Sequence, residues 1–208
     1  MSGIFGKYHI KKQPLAKVDL IKMRNRLNHW EADDTGLWKN EHVGLGHLML
    51  WNTPESLHEK LPLKSLHSGN VITADARIDN REELFLKLKI TDQTVPDSTL
   101  ILAAYDKYGK NCVKHLLGDF AFAIWDVNRE ELFCARDHMG IKPFFYFYDG
   151  EMFIWSSEMK GLLCLNEVLQ KKSKEYINSA LKGISIKSNL TVYDKIKMLS
   201  PASYMNIS

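Results

Sequence analysis

Three groups of side chains have types and spacings that could do chemistry. Asp75, Arg77, Asp79 and Arg81 alternate acid and base. Such a run could form a site for an anion or a peptide, or a solvated ion-pair network worth little energetically. Asp137 and His138, in CARDHMG, could act as a metal or acid–base pair, but no second set of ligands accompanies them and they fall just before a turn. They read as a satisfied structural pair. Cys112, Cys134 and Cys164 are odd in number, far apart and outside any CxxC spacing. No disulfide framework or zinc site follows from them, and they read as small buried hydrophobes. No metal site is expected.

The elements that must position these groups can be read from periodicity. Residues 4–10 form an apolar-rich run near the start, which is ordered only if it pairs into a sheet. Leu15, Val18, Ile21, Leu27 and Trp30 recur among charged residues as one face of a helix, with Pro14 near its start. Strands are expected over 42–51 and 70–76. Asn80-Arg81-Glu82-Glu83 reads as a capping box opening a helix that runs to Leu88. Asp97 can cap a helix with the inner face Leu100, Ile101, Ala104, Tyr105 and Tyr108, a contribution of about 1 kcal/mol, and Gly109 can close it in the left-handed conformation. Residues 120–127, 132–137, 144–148 and 152–156 are aromatic and β-branched runs separated by turn formers, which predicts an antiparallel meander. Short helices follow at 157–163 and 174–181, and a strand is expected over 199–204. The reading is one domain of sheet between two helical layers, and the abrupt end suggests a piece of a longer protein.

Composition excludes some partners. Lysine plus arginine exceed aspartate plus glutamate by only 28 to 25, and the one basic cluster is Lys171, Lys172 and Lys174. That is little field for a phosphate backbone, so nucleic acid is not expected. The aromatic run Phe144, Phe145, Tyr146, Phe147, Tyr148 could stack bases, but strand alternation sends half of it into the core. There is no basic-then-apolar leader and no apolar run near the ~18 residues of a membrane span. A soluble, reduced, cytoplasmic protein with no membrane contact is expected, and the sequons at Asn189 and Asn206 carry no meaning without a leader.

In order and spacing, SGIFG at the start, LGH at 45–47, ARIDNREEL at 76–84, PDSTLILAAYDKYG at 96–109, GDFAFAIWD and ARDHMGIKPFFY resemble the N-terminal glutaminase domain of asparagine synthetase. That domain is a class II glutamine amidotransferase of the Ntn-hydrolase type. The resemblance covers nearly the whole chain, and the last two motifs are specific to the asparagine synthetase branch. It implies an α+β fold, a four-layer αββα sandwich of two mainly antiparallel sheets between helical layers. It also implies a synthetase domain after residue 208 that uses ATP and magnesium, as a partner in the same chain. No cofactor is expected in residues 1–208, and a homodimer is an open alternative.

The resemblance also implies a pocket, and this chain departs from it. The family's nucleophile is an N-terminal cysteine whose α-amine is the base, with an asparagine side chain and a glycine N–H as oxyanion hole. Here that position holds Ser2, whose hydroxyl ionises far less readily than a thiol with a pKa of about 8.5. With Met1 in place it also has no free amine. The oxyanion segment aligns with Asp75, Ala76 and Arg77, replacing an amide donor, a glycine and a glutamate. Loss of one such donor costs roughly 2.7–4 kcal/mol in comparable sites. The arginine that grips the glutamine carboxylate is replaced by Leu48-Met49, and only Asp97, matching the residue that holds the glutamine α-amine, is retained.

The expected function is therefore a glutaminase-like domain that has lost hydrolysis and supports an ATP-dependent, amide-forming ligase. Lasso-peptide cyclases and β-lactam synthetases are similar proteins that take an internal amine. One alternative is a glutamine-hydrolysing asparagine synthetase with an impaired or engineered first domain. Another is a non-catalytic module that binds a peptide or an amine.

Overall fold

Along residues 118–126, Phe120, Phe122 and Ile124 leave one face of a strand while Ala121, Ala123 and Trp125 leave the other, and all six are buried. A strand apolar on both faces must be covered on both sides. The structure, a computed structural model describing residues 2–208, shows what covers it. The chain runs β1 (Gly3–His9), α1 (Lys17–Leu27), β2 (Asp34–Lys39), β3 (Val43–Met49), β4 (Leu63–Lys64) and β5 (Val71–Ile78), then α2 (Arg81–Leu88) and α3 (Asp97–Tyr108). It continues through β6 (Gly118–Asp126), β7 (Glu131–Arg136), β8 (Phe145–Tyr148), β9 (Met152–Ser156), α4 (Met159–Leu163), α5 (Lys174–Leu181), β10 (Ile196–Met198) and β11 (Ser203–Ile207).

A six-stranded sheet has the order β10-β8-β9-β1-β3-β2 and a five-stranded sheet the order β11-β7-β6-β5-β4, with antiparallel pairing throughout. Three apolar layers hold the stack together. Leu20, Met23 and Leu27 of α1 and Leu162 of α4 pack on Phe5, Leu48 and Ile154 of the six-stranded sheet. Ile4, Val43, Leu45 and Trp155 meet Ala121, Ala123, Trp125 and Cys134 between the sheets. Leu84 of α2 and Leu100, Ile101 and Tyr105 of α3 cover Ile72, Phe122 and Ile124. This is the expected αββα sandwich, and each large side chain so buried stabilises it by roughly 1.5–3 kcal/mol. Two strand glycines admit aromatic rings across the backbone: a Cβ on Gly6 would lie 2.2 Å from the Trp155 ring, and one on Gly46 would lie 2.1 Å from that of Phe5.

Several local expectations change. The two hairpins β6–β7 and β8–β9 do not form one meander, because β7 joins the five-stranded sheet and β8 the six-stranded one. Arg136 and Asp137 explain the crossing. The Arg136 guanidinium donates to the carbonyls of Lys142 and Leu199, each at 2.6 Å, and the buried Asp137 carboxylate accepts the N–H groups of Met139, Ile141 and Lys142 at 2.9–3.0 Å. Asp137 is thus satisfied by backbone and not by His138. Asn80 forms no capping box; its amide donates to Glu83 and to the His115 carbonyl, tying the start of α2 to the loop before β6. Asp97 does not cap α3, since it is already the first helical residue after Pro96. Gly109 has a positive φ of 57° but a ψ of −138°, so it closes α3 outside the left-handed helical region. Strands β2, β4 and β10 were not expected, and β11 lies a few residues later than its predicted position. Cys112 and Cys134 are buried, as read, whereas Cys164 is only half-buried, and burial pushes the Cys112 thiol up to about 12.

Candidate functional site

Alternation along β5 decides which side chains can meet. Ile72 and Ala74 face α3, whereas Val71, Thr73 and Asp75 face the space between the sheets, and Asp75 is 4% exposed. On the opposite sheet, β3 ends at Met49 and pairs with β1, with Leu48 opposite Gly3. Ser2 is thereby brought beside Asp75 although 73 residues separate them in sequence.

The residue-2 backbone N–H donates to Asp75 Oδ1 at 3.3 Å. Its hydroxyl oxygen accepts the Leu50 N–H at 3.1 Å and faces the Met49 sulfur at 3.8 Å. Lys142 Nζ donates to the same Asp75 oxygen at 2.9 Å, with only 12% of the Lys142 side chain exposed. Among the described residues, Asp75 Oδ2 has no partner. Burial raises the Asp75 carboxyl above the usual carboxylate range, and the Lys142 ammonium offsets only part of that.

A narrow cleft surrounds these groups. Ser2, Met49, Leu50, Asp75, Ala76 and Asp97 line it together with Glu59 and Ser56. The open volume is ≈ 20 Å³, room for about one water molecule. Asp97 accepts the Ile78 N–H at 2.9 Å and is ion-paired with Arg81, which also donates to the Val95 carbonyl at 2.7 Å. Glu59 accepts the Ser98 hydroxyl. Burial raises the carboxyls of both Asp97 and Glu59. All three acids lining the cleft therefore sit in an environment that disfavours their charge.

The structure brings together Ser2, Met49, Asp75, Ala76 and Asp97, and it leaves Arg77 out. The Arg77 side chain is 61% exposed and pairs with Asp79 at 3.0 Å and Asp119 at 3.7 Å. The alternating charges of 75–81 thus divide into three separate pairings, Asp75 with Lys142, Arg77 with Asp79, and Arg81 with Asp97. Sequence reasoning missed Lys142 and Glu59 as neighbours of the site, and it grouped Arg81 with Asp75 and Asp79 without foreseeing its pairing with Asp97. The available signal was a buried acid that needed a cation, and Lys142 stood in view within GIKP. A larger apolar groove, lined by Leu63, Leu66 and Leu102 between β4 and α3, contains none of the site positions. Among the described residues, no cluster of His, Cys, Asp and Glu could hold a metal ion, and no helix is long and apolar enough to cross a membrane.

Comparison with known proteins gives a consistent family. The family described as "Glutamine amidotransferase domain" matches residues 1–208. Asparagine synthetase [glutamine-hydrolyzing] 3 of Bacillus subtilis is 30% identical over all of this chain and 35% of its own length. The Zea mays asparagine synthetase [glutamine-hydrolyzing] is 33% identical over 78% of the chain and 28% of its own length. The chain thus spans about a third of the length of these relatives. Glutamine phosphoribosylpyrophosphate amidotransferase from B. subtilis has the same fold, with a TM-score of 0.66 at 15% identity over 99% of this chain and 47% of that one.

Proposed function

The chain belongs to the glutamine amidotransferase domain family, in its asparagine synthetase-like branch, and from that premise we propose that it no longer hydrolyses glutamine. Its role is that of a folded, non-catalytic domain attached to a synthetase portion that forms an amide with ATP and magnesium. The substrate carboxylate is activated there, and a nitrogen nucleophile attacks it there.

One observation carries the reading. A carboxylate, Asp75, stands 3.3 Å from the residue-2 nitrogen where the family places an amide donor. An ionised carboxylate only accepts hydrogen bonds, so it repels the negative charge that develops on an amide oxygen under attack. It also removes the base. With Met1 attached, residue 2 has no amine; with Met1 cleaved, the α-ammonium is held protonated beside Asp75. The Ser2 hydroxyl already accepts from Leu50, and Met49 offers no charge to a glutamine carboxylate. The cleft is too small for the glutamine side chain as it stands.

The test is ammonia release from L-glutamine by the full-length protein. A rate matching the Ser2→Ala control is expected, and Ser2→Cys alone should not raise it, because the acid remains. Turnover clearly above that control, or strong rescue by the thiol alone, would show that Asp75 does not block the reaction.

A further inference from the structure

Helix α5 has an apolar face that the fold does not use. None of its residues is buried, yet Ile177 and Leu181 stand one turn apart on one face and are 38% and 81% exposed, and Ile184, just past the turn at Gly183 that ends the helix, is 57% exposed. Leu169, just upstream, is 65% exposed. The helix forms nonetheless. Ser173 caps it by accepting the Tyr176 N–H at 3.2 Å, its own N–H bonds to the Val192 carbonyl at 2.9 Å, and Lys187 reaches Glu175 at 3.1 Å. An isolated eight-residue helix is marginal in water and draws its stability from packing of its apolar face. Here that packing is missing.

Charge singles out the same segment. Residues 166–190 contain five lysines (171, 172, 174, 182, 187) and two glutamates (167, 175), a net charge of +3. The whole chain carries 28 basic and 25 acidic residues, also +3, so the remainder balances at 23 and 23. The entire basic excess therefore surrounds this apolar stripe. The segment leads into β10, and β10 and β11 form the sheet edges on one side of the sandwich, where residue 208 also lies.

We propose that the apolar face of α5 docks the synthetase portion of the full-length protein, on a surface of that portion that is apolar at its centre and acidic at its rim. This rests on the reading above that such a portion follows residue 208, as the share of the relatives' length spanned here suggests. Tethered in the same chain, it meets α5 at high effective concentration. A few apolar side chains on one short helix bury too little area to hold a membrane, because interfacial binding scales with buried apolar area.

The test is hydrogen exchange on the full-length protein, comparing the wild type, Leu181→Asp, and the control Leu66→Asp, whose side chain is exposed beside β4. In Leu181→Asp, exchange over 174–187 should accelerate at least tenfold, and a separate patch in the synthetase portion should lose protection with it. Leu66→Asp should change neither. Loss of protection confined to α5, or none, would overturn the docking. So would a dimer, or binding to phosphatidylserine vesicles, that disappears in Leu181→Asp while the synthetase patch is unaffected. A full-length sequence with no synthetase portion would instead sink the functional reading on which this stands.

Discussion

The Asp75–Lys142 pair allows the sharpest test of the site's electrostatics. Replacing Lys142 with methionine keeps most of the side-chain bulk and removes the cation 2.9 Å from a carboxylate that is 4% exposed. At an effective dielectric of about 20, two unit charges at that distance attract by about 6 kcal/mol before desolvation is counted. Removing one partner of a buried pair leaves the other uncompensated, which typically costs about 3–5 kcal/mol. A loss within that range is expected at pH 7. The sign with pH follows from linkage. The Asp75 pKa is raised in the folded protein by burial, so its proton stabilises the fold, an effect complete below the unfolded value and lost as pH rises through the folded one. Without Lys142 the folded value rises further. The deficit of Lys142→Met should therefore shrink as pH falls towards about 4. Urea unfolding at several pH values reads this directly. Adding Asp75→Asn to Lys142→Met should recover at least half of the loss, since an amide has no charge to desolvate. A cost below about 1 kcal/mol, or a double variant no more stable than the single, would refute the claim that a buried charge pair stands beside residue 2.

His47 makes a prediction of opposite sign. Burial lowers its pKa to about 3 from 6.5, so its neutral form stabilises the fold fully above pH 6.5, and that contribution is lost as pH falls towards 3. The full span is about 4–5 kcal/mol; His47→Leu should flatten the acid limb of the stability curve, and an unchanged limb would assign acid unfolding to other groups. Gly6→Ala should destabilise by about 1–3 kcal/mol through overpacking against Trp155, with heat denaturation as the check and a neutral result counting against the close approach. Arg81→Met should leave the partly buried Asp97 without its cation and lower stability at pH 7 by about 1–3 kcal/mol, with a smaller loss in acid. A loss that does not vary with pH would mean that Arg81 acts through its packing on Phe85 instead.

Much of the fold was legible because it depends on local pattern. The two-faced alternation of 118–126, the helical spacing after Asp97 and the position of GDFAFAIWD relative to ARDHMGIKPFFY each fix an element from its own residues. The same reasoning failed where a partner sheet decides the outcome. No local feature of 118–156 indicates that its two hairpins part company, since the crossing depends on Arg136 and Asp137 binding carbonyls and N–H groups of a loop. Strand β2 was invisible for a similar reason. Its residues DTGLWK are half-exposed and become a strand by pairing with β3 at the sheet edge.

For the site, the sequence alone determined that residue 2 is a serine, that residue 75 is an acid, and that no arginine stands at 48 or 49. Residue chemistry is a property of the chain. Only tertiary structure decided that Asp75 is neutralised by Lys142 from 67 positions away, that Asp97 is already occupied by Arg81, and that Arg77 points out of the cleft. It alone left the apolar face of α5 uncovered. Side-chain type sets which interactions are open to a residue, whereas desolvation and charge pairing depend on what the rest of the fold places within a few ångströms of it.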